Sequence, residues 1–312
     1  MMFKNSLKLA MSNFYNFWKI FLYKVVILAF VAVLISLCFN SIAEAATVSG
    51  LKTSFINFVS QLAIAPDIVL LMQNLFLFLA SLVEFFIALY SSNVLIGIYF
   101  SFVVFVLFPF LCYMSNVAIG ELNYGYMSSL SRFGFLQKFI TKFGASCVYA
   151  CIKTLINIVF IFTFLGGNYL ILSLTTHTGF VVYLVPVFAV VYSVVIVSLY
   201  QTFMSGYMPA IVVFNDGAIK GFNQGLKAVS RRFFRTLSNL IAINTLFFAI
   251  FYLFGIYSLI VLIPLYSHLF FIFQMVMFFG SNGMRYYVDL DTILTPKKLE
   301  TYDKYRKTKD LL

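Results

Sequence analysis

Glu84, Lys153 and His268 are ionisable side chains set inside apolar stretches. Charge at membrane depth is costly and marks places where ions, protons or polar solutes are handled. Glu84 and Lys153 carry opposite signs and form a candidate intramembrane polar pair, able to neutralise each other in a helix bundle or to line an ion pathway. Two plainer readings stand beside this one. Lys153 sits only about seven residues inside its stretch, within snorkelling reach of the interface. Glu84 would be an ordinary polar contact if its segment never crosses. His268, close to Pro264, reads as a hydrogen-bonded structural residue, and His177 stands alone in an expected external connection.

A second group is cationic: Lys227, Arg231, Arg232 and Arg235, with Phe233 and Phe234 among them. On a continuous helix Lys227, Arg231 and Arg235 share one face. Such a face would bind anionic lipid headgroups, each basic residue contributing about 1 kcal/mol near the surface. The block also serves as a topology determinant. Just upstream, Gly217, Gly221 and Gly225 repeat every four residues. Their polar neighbours Lys220, Asn223 and Gln224 favour a flexible or surface helix over close packing inside a membrane. No strand pattern precedes them and no Lys-Ser/Thr follows, so they do not form a phosphate-binding loop.

Catalytic chemistry is thinly supplied. Cys38, Cys112, Cys147 and Cys151 lie in or beside apolar runs, without a CxxC pair or a Cys/His cluster, which argues against a disulfide framework or a metal site. Two histidines and ten unclustered acids offer no acid–base pair. The expectation is a non-enzymatic protein without cofactor or metal.

The elements that must position these residues follow from composition. The chain is 62% hydrophobic and 10% charged, against about 25% charged in soluble domains. Its apolar runs reach the roughly 20 residues that cross a bilayer. The net charge of +11 is confined to blocks between those runs, which fits a membrane surface rather than nucleic acid. The abundant Phe and Tyr fit lipid-facing positions. The expected fold is all-α: a polytopic transmembrane bundle over 1–283 with a charged cytoplasmic tail at 284–312. Thr295-Pro296 is a good start for a short helix in that tail. Ala43-Glu44-Ala45 resembles a signal-cleavage triplet, but the preceding segment is too long for a signal peptide, so a retained anchor is expected.

Charge placement orients the chain. Basic amphipathic segments at 1–24, 120–142 and 214–236 carry +4, +2 and +4, and the tail carries +2, whereas 41–67 carries −1. The positive-inside rule puts the four basic segments in the cytoplasm of a bacterial cell, facing anionic headgroups. An even number of crossings must then separate residue 24 from residue 120, yet three apolar runs lie there. The run 68–90, with Gln73, Asn74 and Glu84, is expected to be re-entrant or superficial. That leaves six crossings with both termini inside; seven spans, with one basic segment outside, is the alternative. A basic, Ser- and Phe-containing segment precedes spans one, three and five, at Leu7-Lys8 to Phe14, Ser131-Arg132-Phe133 and Leu226-Lys227 to Phe233. This predicts three repeated helical hairpins.

The third block, Asn215-Asp216-Gly217 through Gly225-Leu226-Lys227 to Ser230-Arg231-Arg232, and the opening Ser6-Leu7-Lys8 carry a resemblance. In these motifs and in layout the chain resembles a diffuse group of bacterial integral membrane proteins, similar to the six-span domain attached to some glycerophosphodiester phosphodiesterases. The resemblance implies a fold more than an activity, since the catalytic domain of those proteins is separate. The functional expectation is an interaction or assembly component of the envelope, with other membrane proteins as partners. The alternative is a small-solute or ion transporter using Glu84, Lys153 and helices broken at Pro109, Pro186, Pro209 and Pro264.

Overall fold

A computed structural model describes residues 2–63, 68–128, 134–174, 181–215, 217–255, 258–289 and 292–294. The predicted tail helix at Thr295, together with His177, Asp216 and Arg132, lies outside these residues. The fold is an all-α bundle. Seven of the described helices are long and apolar enough to cross a membrane. Among the described residues the only strands are β1 (Tyr286–Asp289) and β2 (Thr292–Leu294), a short antiparallel hairpin that follows the last long helix.

The predicted threefold pattern is visible as geometry. Three times a short helix stops, the chain kinks, and a long apolar helix departs: α1 (Met2–Ser12) then α2 (Tyr15–Ser36), α8 (Phe135–Thr141) then α9 (Phe143–Ser173), and α12 (Ala218–Ser230) then α13 (Phe233–Phe254). Each long helix returns through a partner: α6 (Val94–Phe102) and α7 (Phe108–Met127), α10 (Val181–Met204) and α11 (Tyr207–Phe214), and α14 (Leu259–Ser281). Packed in the order α2, α7, α9, α10, α13, α14, these elements close into a ring, because α14 also packs on α2.

Local sequence explains the breaks. Between α6 and α7 the helix widens into a π-helical turn at Val103–Leu107. Pro109 follows at once; it offers no N–H and its ring crowds the carbonyl one turn back, so the wider turn relieves the clash. α10 stops at Met204, and Gly206 and Pro209 open α11. There the backbones of Gly206 and Gly225 meet: a Cβ on Gly225 would lie 2.6 Å from the carbonyl carbon of Gly206. Gly221 fits against Ile211 in the same way. The expectation for this glycine series needs correcting. α12 is a surface helix, but its glycines serve close packing against α11, since only a side chain without Cβ allows that approach.

One further boundary differs from the sequence reading. Residues 120–127 are the last turns of α7, where Gly120, Glu121 and Asn123 are buried, rather than part of a polar loop. Ala43-Glu44-Ala45 lie within a helix, α3 (Phe39–Val48), followed by α4 (Leu51–Ala63).

The ambiguous run forms a continuous helix, α5 (Ile68–Ser92). Its length and hydropathy suit a crossing. Near its start, Leu75, Phe76 and Leu79 pack on Leu172 and Val185, at the end of α9 and the beginning of α10. Near its finish, Phe86 packs on Phe105, and Tyr90 donates its hydroxyl proton to Ser101. Phe105 in turn touches Phe162 on α9. From its start to its finish α5 therefore runs beside α9 from Leu172 back towards Phe162, in the half of the bundle away from α8 and α12. Six further long helices make up the ring.

Candidate functional site

The two members of the candidate pair do not meet. Glu84 is exposed on α5, in the same stretch as exposed Val83 and Ile87. Lys153 is 6% exposed and points into the ring, so it does not snorkel to the interface either. Its ammonium donates to the Tyr149 hydroxyl at 3.0 Å and sits 4.5 Å from the centre of the Tyr113 ring. The Tyr149 hydroxyl also accepts from Asn116 at 3.3 Å. An ammonium has three donors; here one hydrogen-bond acceptor and the rings of Tyr113 and Tyr149 engage it. Tyr200, from α10, also interacts electrostatically with it.

A second cation, absent from the sequence-based site, shares this interior. Lys24 on α2 donates to the Ser267 hydroxyl on α14 at 2.5 Å. Lys24 is half-buried. Among the described residues no carboxylate enters this region: Glu44 and Glu84 are exposed, and Glu121 is held elsewhere. The signal was present in the sequence, because Lys24 lies nine residues into α2. Grouped with Lys4, Lys8 and Lys19, it reads as the end of a surface segment.

Next to this centre, α10, α13 and α14 share a polar network. The Asn244 amide donates to Ser198 at 2.7 Å and to Gln201 at 3.0 Å, and Tyr266 donates to the Asn244 carbonyl oxygen at 2.5 Å. The network forms part of the wall of a cavity of about 520 Å³ between α5, α9, α10, α13 and α14. Its other walls are mainly aliphatic and phenylalanine side chains. Ser267, the partner of Lys24, also lines it.

The basic block is positioned differently from the single helix face expected. α12 ends at Ser230 and α13 begins at Phe233, so Arg231 and Arg232 occupy the kink and the i, i+4, i+8 register of Lys227, Arg231 and Arg235 is broken. Lys227, Arg231 and Arg235 are nevertheless exposed. Arg231 donates to Asn282 at 3.1 Å. Burial and the neighbouring Arg235 hold Arg232 below the usual arginine range, and Tyr286 opposes this. Tyr286 accepts from Asn5 at 3.1 Å, which ties the C-terminal hairpin to α1. Burial, the main effect on its phenol, pushes it above the ordinary tyrosine value.

On the same side, Glu121 accepts from Lys138 at 3.2 Å and faces Lys142 at 3.4 Å. Lys142 also contacts Asn215, whose left-handed backbone terminates α11. These contacts clamp α7, α8 and α11 together. His268 accepts or donates at 3.1 Å to the Ala10 carbonyl oxygen, joining α14 to α1, in keeping with a structural role.

The described residues contain no group of three or more potential metal ligands. The chain matches no family model, no curated protein and no solved structure. What the fold defines is a multi-pass, all-α membrane protein.

Proposed function

We propose that this is a permease-type protein of the bacterial cytoplasmic membrane that binds an anionic solute inside its six-helix ring, with both termini in the cytoplasm. The observation that supports this reading is a buried Lys153 and a half-buried Lys24, held by a tyrosine and a serine hydroxyl, with no described carboxylate beside them. A buried charge without a counter-charge is strongly unfavourable. A transient anion would offset that cost whenever it occupies the site. The reading keeps Lys153 from the transporter expectation and drops Glu84 from it.

An assembly role has its own support in the exposed ledge of Lys227, Arg231, Arg235 and Phe234, where an acidic surface or headgroup layer would dock.

Electrical recordings from proteoliposomes, using phosphate, acetate, pyruvate and benzoate in turn, test the first reading. At least one anion should give a current that Lys153→Met abolishes and Glu84→Gln leaves unchanged. Absence of any wild-type current, or currents that survive Lys153→Met, would overturn it.

A further inference from the structure

The cavity of about 520 Å³ beside the cationic centre is within the usual ~300–1,000 Å³ of ligand pockets. Leu75, Leu79, Phe248 and Leu259 belong to its apolar walls, and the Asn244 network, Ser267 and the hydrogen-bonded pair Ser193 and Asn168 supply its polar part. No ionisable acid or base lines it, apart from the phenol of Tyr266, yet Lys24 touches it through the hydroxyl of Ser267. A mainly apolar chamber with an ammonium behind one of its lining serines suits a molecule with one long hydrocarbon tail and one anionic head. A small hydrophilic anion would leave those walls unpaired. The network of Ser198, Gln201, Asn244 and Tyr266 satisfies itself by internal hydrogen bonds, so a tail can lie over it without stranding polar groups.

One wall of the chamber is α5. Leu75 and Leu79 line the chamber, while Leu77, Val83 and Ile87 on the same helix are exposed. A helix with apolar side chains both inward and outward offers a hydrocarbon tail an apolar surface between the bilayer and the chamber.

We propose that the ligand of the cationic centre is a long-chain fatty acid, its tail in this chamber and its carboxylate at Lys24 and Lys153. This rests on the anion-binding reading above and specifies its substrate class. No bond is made or broken in binding; the carboxylate displaces the Lys24–Ser267 hydrogen bond and takes up the free donors of Lys153.

The test is equilibrium binding of radiolabelled palmitate, and separately of radiolabelled benzoate, to the full-length protein in mild detergent. Val197→Trp and Leu79→Trp each place an indole in the chamber; Lys153→Met removes the head contact. Palmitate affinity should fall about tenfold or more, equivalent to ~1.4 kcal/mol, in all three variants, whereas benzoate affinity should fall only in Lys153→Met. Unchanged palmitate affinity in both tryptophan variants, with benzoate binding still lost in Lys153→Met, overturns the fatty-acid inference and leaves the anion reading standing. Binding of both ligands unaffected by Lys153→Met overturns the two together. Using two tryptophan variants at separate walls, each checked for a monodisperse elution profile, prevents a folding defect from passing as a filled chamber.

Discussion

At the scale of single residues, the decisive fact is where Lys153 points. Hydropathy alone allows it to reach the interface; the structure turns it inward, against Tyr149 and Tyr113. The hydrogen bond and the cation–π contact recover part of the cost of burying its charge. They do not neutralise it. Replacing Lys153 with Met, similar in length and apolar, should therefore raise the thermal stability of the ligand-free protein, or leave it unchanged, while abolishing anion binding. A loss of more than about 2 kcal/mol would mean that the ammonium holds the fold together, as breaking a buried pair does. Fluorescence-detected thermal melts in detergent provide the check. The sequence exposed Lys153 as a candidate because it stands alone in an apolar run. It misassigned the partner, since opposite charge suggested Glu84, and sequence carries no information on which helix face two distant segments share. Lys24 was overlooked for a related reason: four lysines in 1–24 read as one surface block, and the kink at Asn13 that sends Lys24 into the ring leaves no strong composition signal.

At the scale of elements, helix identity was legible and helix continuity was not. The apolar runs and the break near Gly206 followed from hydropathy. The kink at Arg231–Arg232 did not, because nothing in Ser230-Arg231-Arg232-Phe233 forbids a helix; the kink is imposed by α12 lying flat while α13 departs. Polar neighbours also disguised the glycine series, which packs a surface helix rather than two spans. Gly225→Val should push the branched side chain into the Gly206 backbone. Overpacking of this kind costs about 1–3 kcal/mol, and membrane abundance and melting temperature should fall accordingly. Gly217→Val, where open space surrounds the added Cβ, should leave both unchanged. For α5 the expectation concerns sidedness. Reporter fusions after Gly50 and after Ser92 should face the same side, and a fusion after Ser128 the opposite one. Opposite signals from Gly50 and Ser92 would make α5 a seventh span.

At the scale of the whole molecule, three kinked helical hairpins enclose one interior, and the clamp of Glu121 with Lys138 and Lys142 holds the basic ends together. The repeat was legible because each hairpin begins with a similar basic segment. The interior was not, because its contents come from all three hairpins: Lys24 from the first, Tyr113, Lys153 and Tyr200 from the first two, and Ser267 from the third. A site assembled in this way has no local motif. The central claim is that this interior holds an anion on two ammonium groups. Native mass spectrometry of the protein released from mild detergent tests it most directly. Wild-type protein should carry an acidic small-molecule adduct that disappears in Lys153→Met and weakens in Lys24→Met; identical spectra, with no adduct or with the same adduct in all three proteins, would contradict the account.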